Sequence, residues 1–354
     1  MNIKELGQLI ITGVSGKSLT EDEKIFLQDS NIGGVILFKH NYSDPAQLAE
    51  LVNEIQVLRD EYPLFISVDQ EGGRVMRFHT HFTQFPSMYE IGKKNSPKLT
   101  FEVHKTLADE LSLCGVNLDF SPCTDIWTNE NNKVIGDRAF SNNAEDVEKH
   151  VSAAIRGLHT GNVLACSKHF PGHGNTTKDS HYDLPYVTKT LEELRELELI
   201  PFYKASKSRV EFIMMAHLVV DAIDKDLPCT LSSKAYEFCR DELKYKNLII
   251  TDDMEMKAIE DHFSTAKAAV MAINAGADLL IYRSMEKAKE AFEALSEAVT
   301  VQEIKRSTID DRVKRINRCK KTYLKDYSQI YIPDIAKKLK PSGNEDILKK
   351  IDQV

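Results

Sequence analysis

A closed barrel of eight parallel strands wrapped by helices, a (β/α)8 or TIM-like α/β fold in one domain, is the class that this 354-residue sequence predicts. Three observations carry the prediction. Eight short apolar runs recur along the chain, with longer segments of helical periodicity between them. The runs are almost unbroken in their hydrophobicity, as strands covered by helices must be. No G-x-G-x-x-G follows the first run, which sets the alternative, a doubly wound open sheet, behind the barrel.

The strands are expected at QLIITGV (8–14), GGVILF (33–38), LFISVD (64–69), VNLDFSP (116–122), VLACSKH (163–169), FIMMAH (212–217), LIITDD (248–253) and ADLLIY (277–282). Between them, DPAQLAELVNEIQVLRDEY, AEDVEKHVSAAIRGLHTGN and STAKAAVMAINAGAD place apolar residues at helical spacing, with cap residues Ser43, Asp44 and Ser264 near their starts. After Tyr282 the chain is helical and highly charged. It reads as the last barrel helix followed, from about residue 300, by a helical extension packed outside one domain that spans 1–354.

Composition excludes several classes of partner. A formal net charge of -8 argues against nucleic acid, which demands a concentrated basic surface. No apolar run approaches the roughly 20 residues of a membrane span. The N-terminus shows no signal peptide. Six cysteines without C-x-x-C spacing suit buried thiols in a reducing cytoplasm, and a cytoplasmic monomer is expected.

Catalytic chemistry in such a barrel gathers where the strands end at their carboxyl side. Here those ends are polar: Asp69, Lys168 with His169, His217, and Asp252 with Asp253. Asp69 also opens DQEGGRVMR, in which Gly72 and Gly73 permit a tight turn while Arg74 and Arg77 supply fork-shaped donors. A stretch with no helical or strand periodicity, KHFPGHGNTTKDSHYDLP (168–185), holds three histidines and two aspartates. A zinc site there lacks H-E-x-x-H, and a phosphate cradle lacks G-x-x-x-x-G-K-[ST], so both are disfavoured. The favoured reading pairs Asp179 with His181. An aspartate two residues away can orient an imidazole, fix its tautomer and raise its pKa, making it a general acid and then a general base. With two glycines, two threonines and little apolar content, Gly172 to His181 is expected to make few buried contacts.

KHFPGHG followed by DSH resembles the signature of family-three glycoside hydrolases of the bacterial β-N-acetylglucosaminidase branch. GGVILFKHN, SVDQEGGRVMR, GVNLDFSP, VIGDRAFS, IMMAH and IITDDMEMKAI follow in the family's order, so the resemblance spans about residues 8 to 282. It implies Asp252 as nucleophile, His181 as acid/base with Asp179 as its orienting partner, and Asp69, Arg77, Arg138, Lys168 and His169 as sugar-binding residues. His173 is assigned to loop shape, and His217 and Asp253 to supporting roles. A second domain that supplies a glutamate acid in many members finds no room after Tyr282, and the usual G-F-x-G before the nucleophile strand is YKN here. The expected activity is retaining hydrolysis of terminal β-linked N-acetylglucosamine from peptidoglycan fragments, without cofactor or metal. Transfer to phosphate, or sugar binding without catalysis, stand as the alternatives.

Overall fold

The computed structural model describes residues 3–59, 61–176, 184–324, 327–339 and 343–353. Among them, eight parallel strands close into a barrel: Ile10–Gly13, Gly34–Leu37, Phe65–Val68, Leu118–Asp119, Leu164–Phe170, Phe212–Met215, Leu248–Asp253 and Leu279–Tyr282, each hydrogen-bonded to the next and the last to the first. Seven lie within the runs that the sequence marks, and the fifth runs one residue past its own, to Phe170. Closure pairs Ile10 with Leu280 and Thr12 with Tyr282.

The helices begin where the cap residues sit. Asp44 Oδ1 accepts from the amides of Ala46 and Gln47, both at 3.0 Å, with Pro45 in the first turn of the helix Pro45–Gln56. Ser264 Oγ caps Thr265–Ala275 through the Lys267 amide. The amphipathic segment after Asn143 forms Ala144–Thr160, whose buried face carries Val147, Val151, Ala154, Ile155 and Leu158. The first of these helices ends at Gln56, short of the periodic pattern, because Gln56 turns its side chain to the Leu64 amide and carbonyl and so hands the chain to the third strand.

The rings of Phe65 and Phe212, on the third and sixth strands, meet edge to face at 5.2 Å. Those strands are not neighbours in the sheet, so the contact fills the barrel interior. Below it the helix Arg306–Tyr323 closes the amino-terminal end of the barrel. Lys320, wholly buried, donates to Gln8 Oε1 at 2.8 Å and lies 5.0 Å from the Phe65 ring, and burial pushes its ammonium down to about 7. Asp278, also wholly buried, accepts from Arg240 Nη2 at 2.6 Å, Arg315 Nε at 2.7 Å and the Ile249 amide at 2.8 Å. The charged helix Arg306–Tyr323 therefore serves as the floor of the barrel.

All six cysteines are buried free thiols. No helix among the described residues is long and apolar enough to cross a membrane.

Asp278→Ala should lower stability by about 3–5 kcal/mol, because it strips the shared carboxylate from guanidinium groups drawn together beneath the seventh and eighth strands. Urea unfolding measures the loss, and a change under about 1 kcal/mol would mean that the arginines are satisfied elsewhere.

Candidate active site

At the opposite end the strands open into a cavity of about 400 Å³, lined by Asp69, Arg77, Arg138, Lys168, His169 and Asp252 among others. Every binding residue named from the sequence is thus brought to one place, and so is Asp252. Asp179 and His181 lie outside the described residues.

In a regular strand successive side chains face opposite ways, yet Lys168 and His169 both line the cavity, as do Asp252 and Asp253. Each pair sits at a break in register. Against the sixth strand, Ser167 pairs with Ile213 and Phe170 with Met215, three residues against two. Against the eighth, Ile250 pairs with Leu279 and Asp253 with Ile281, again three against two. An extra residue in each strand re-aims the chain at its end, so that neighbouring polar residues share the mouth.

The charged side chains of this wall form one lattice, from buried Lys168 and Glu71 out to half-buried Asp69, Arg77 and Arg138. Lys168 Nζ lies 2.8 Å from Asp69 Oδ1 and 2.6 Å from Glu71 Oε1. Arg138 grips both oxygens of Glu71, Nε to Oε2 at 2.9 Å and Nη2 to Oε1 at 2.7 Å. Arg77 Nη2 completes Asp69 at 2.9 Å. Burial alone would raise both carboxylates. Lys168 and Arg77 instead hold Asp69 well below the usual carboxylate range, and Arg138 and Lys168 bring Glu71 down to about 2. Both acids are therefore fixed acceptors. Beneath them Asp119 is pushed well above the ordinary carboxylate range by burial, and only its Oδ1 is engaged, by the Gln70 amide at 2.9 Å. A neutral acid there spares the lattice a third negative charge. Gly72 and Gly73, at φ of 109° and 56°, make the turn that returns Arg77 to Asp69.

A second cluster fixes the fifth-strand end. Asp125 Oδ2 accepts from His169 Nδ1 at 2.8 Å, and its Oδ1 accepts from the His173 amide at 2.6 Å. The His169 contact assigns the proton to Nδ1 and leaves Nε2 as the ring's other nitrogen on the cavity wall. Residues 171–174 and 176 are buried, against the expectation of few contacts from Gly172 onward. Asn132 Nδ2 donates to the His173 carbonyl at 2.7 Å, and a Cβ on Gly174 would stand 1.6 Å from the Ile126 carbonyl oxygen. Polar side chains from the preceding loop hold this part, which low apolar content does not reveal; residues 177–183 lie outside the described residues.

Among the described residues, Cys123, Asp125 and His169 bring three potential metal-ligand atoms within 4.8 Å of one another. Their donors are already committed. Cys123 Sγ donates to the Asp125 oxygen that also takes the His169 proton, and burial pushes that thiol well up. A metal would have to displace both protons.

Asp252 is half-buried and faces the cavity. Burial raises its carboxyl, but His169 and His217, the Asp253 amide at 2.7 Å and Lys168 together keep it below the ordinary value, so it stands ionised. Asp253 behaves oppositely: burial pushes it up to about 7 even though Arg283 Nε lies 3.5 Å from its Oδ2. Two adjacent carboxyl groups with separated pKa values leave Asp252 the one that is charged as pH falls below neutral.

This constellation has known counterparts. Residues 2–319 match the N terminal domain of glycosyl hydrolase family 3. The chain belongs to that family. Among its family 3 relatives, a β-hexosaminidase of Nitrosomonas eutropha is 37% identical over 283 residues, 78% of this chain and 80% of that protein. The structure of a family 3 β-N-acetylglucosaminidase from Paenibacillus sp. str. FPU-7 superposes with a TM-score of 0.93 at 34% identity, covering 99% of this chain and 67% of that one. A family 3 glycosyl hydrolase from Mycobacterium smegmatis covers 90% of this chain and 97% of its own, at 27% identity and a TM-score of 0.84.

Sequence reasoning missed Glu71 and Asp125 as the residues that organise this hydrolase site. Glu71 stood in plain view inside DQEGGRVMR, next to a strand end, and Asp125 followed the fourth apolar run in SPCTD; a lone acid beside an apolar run was the available signal.

Asp253 carries a sign that can be checked. A carboxyl whose folded pKa is raised stabilises the fold only while protonated, so its contribution is present below about 4 and is lost as pH rises through about 7. Asp253→Asn should therefore gain stability relative to the parent by roughly 2 kcal/mol between pH 5 and pH 8 in urea titrations. A constant difference across that range would show that Asp253 is ionised throughout.

Proposed function

We propose that this family 3 β-hexosaminidase is a retaining exo-β-N-acetylglucosaminidase that releases N-acetylglucosamine from the non-reducing end of peptidoglycan fragments. Its nucleophile is Asp252, and the observation that carries this role is an ionised carboxylate on the cavity wall, set among cations that also anchor the sugar lattice. Hydroxyls of the sugar are held by the outward-facing lone pairs and N–H groups of Asp69, Arg77, Arg138, Lys168 and His169, charge-assisted contacts that fix the ring. Asp252 attacks the anomeric carbon and the leaving oxygen takes a proton from His181, oriented by Asp179. Water, deprotonated by the same imidazole, then releases the sugar from the aspartyl ester. The pair rests on DSH in its family position, and no metal or cofactor enters the scheme. Asp69 cannot serve as the acid, because its two cations hold it ionised. A monomeric cytoplasmic enzyme fits the six buried thiols.

The mouth favours an acidic leaving group, as peptidoglycan fragments provide. Arg74, Lys133 and Arg283 reach the cavity lining from three loops. Arg74 is occupied by Asp137 and by the carbonyls of residues 133 to 135, and Arg283 leans on Asp253 and Glu255. Lys133 is exposed and has no acidic partner among the described residues, so its charge is available to a substrate.

Asp252→Ala should lower turnover by several orders of magnitude while melting like the parent, and proton NMR of the parent reaction should show the β-anomer of N-acetylglucosamine first. Initial α-anomer would refute a nucleophilic carboxylate.

Lys133→Glu should lower kcat/KM for the 4-carboxyphenyl β-N-acetylglucosaminide relative to its methyl ester by roughly 3- to 10-fold. An unchanged ratio would remove the case for an anionic leaving group at this rim.

A further inference from the structure

The seventh strand leaves its ladder just where it must present Asp252. Its regular pairing with the sixth strand runs from Leu248 with Phe212 to Thr251 with Met215 and stops there. On the other side the register slips between Ile250 and Asp253. The bulge is patched on that side by Thr251 Oγ1, which accepts the Ile281 amide at 3.1 Å, and by the Met254 amide, which donates to the Ile281 carbonyl at 3.0 Å. On the sixth-strand side the Asp253 carbonyl would be left without a ladder partner.

His217 takes that place. It lies two residues past Met215, as Asp253 lies two past Thr251, so the two stand abreast beyond the end of the ladder. His217 Nε2 is 2.9 Å from the Asp253 carbonyl oxygen and must carry a proton to donate to it. The other edge of the ring is held by Thr230, whose Oγ1 is 2.7 Å from Nδ1 and 2.9 Å from the Ala216 carbonyl oxygen. The ring is 1% exposed and cannot swing away. Asp253 is thereby clamped at both polar ends of its backbone: its carbonyl by His217, its amide to Asp252 Oδ1 at 2.7 Å.

We infer that His217 is a positioning residue for the nucleophile. It substitutes for a missing strand contact and, through the backbone of Asp253, fixes the direction in which Asp252 presents its carboxylate. The inference rests on the assignment of Asp252 above. Because the contact acts on the nucleophile and not on the departing group or the bound sugar, its loss should slow formation and breakdown of the glycosyl-aspartate together.

The experiment compares His217→Leu, which keeps bulk and removes both ring nitrogens, with His217→Gln, whose amide can still donate to the Asp253 carbonyl. On both the 2,4-dinitrophenyl and the 4-methoxyphenyl β-N-acetylglucosaminides, the leucine variant should lose about 100-fold in kcat with KM within about threefold, the cost of a misaimed reacting group. The glutamine variant should recover most of that loss. Thr230→Val, which removes only the hydroxyl that steadies the ring, should lose about 10-fold in kcat with the same split, and it keeps the test available if the leucine variant does not fold. A leucine variant as fast as the parent, equal losses in the leucine and glutamine variants, or a loss confined to the poor leaving group would each overturn the proposal. Trapping the parent enzyme with a 5-fluoro glycosyl fluoride of N-acetylglucosamine and sequencing the labelled peptide separates the two readings. Label on Asp252 leaves His217 to be judged by kinetics, whereas label elsewhere removes the nucleophile assignment and this inference with it.

Discussion

Five charged side chains in contact at the mouth of the barrel, Glu71 and Lys168 buried and the other three half-buried, set the terms for everything around them. Taking an ion out of water is tolerable only when its partner and its remaining hydrogen bonds are in place, so Asp69, Glu71, Arg77, Arg138 and Lys168 must arrive together or not at all. They come from the third-strand end, its hairpin, the loop after the fourth strand and the fifth-strand end. Mutual satisfaction of those charges fixes the loops as firmly as apolar packing fixes the strands below. Under the proposed function the same lattice would meet the sugar already assembled, with no groups to reorganise on binding.

Against that fixed platform the reactive group is placed by controlled irregularity. A perfect strand offers the mouth every second residue, which would separate Lys168 from His169 and Asp252 from Asp253. Bulges at both strand ends bring each pair to the same side, at the cost of ladder hydrogen bonds that side chains then replace: Thr251 and His217 around the seventh strand, Asp125 around the fifth. Where regular structure ends, the hydrogen-bond accounting is completed by side chains from neighbouring strand ends and loops.

Much of this was legible in the sequence. The eight strands follow from apolar runs of strand length between helical periods, and the converging residues Asp69, Lys168, His169 and Asp252 follow from their place at the runs' ends. Glu71 and Asp125 escaped because their importance lies in which partners they meet, and Arg138 or His173 is far from them in the chain. The firm anchoring of residues 171–174 and 176 escaped for the same reason. Asn132 and Asp125 hold that segment with polar contacts, whereas composition measures only what apolar burial would supply. Asp252 and Asp253 look alike in sequence, and only burial against differing neighbours pulls their proton affinities apart.

Closure of the sheet joins the first strand to the last, Ile10 to Leu280, and the floor is laid only by a helix that follows both. As the chain emerges during synthesis, the first strand waits with one edge unpaired until the eighth has been made. Gln8 and Glu5 wait likewise for Lys320 and Arg306. Until then a nascent chain of this kind is an open, sticky half-sheet, and its passage to the native state waits for the eighth strand and the helix that follows it. Holding partners that shield exposed strand edges would matter most to it there, long before any sugar does.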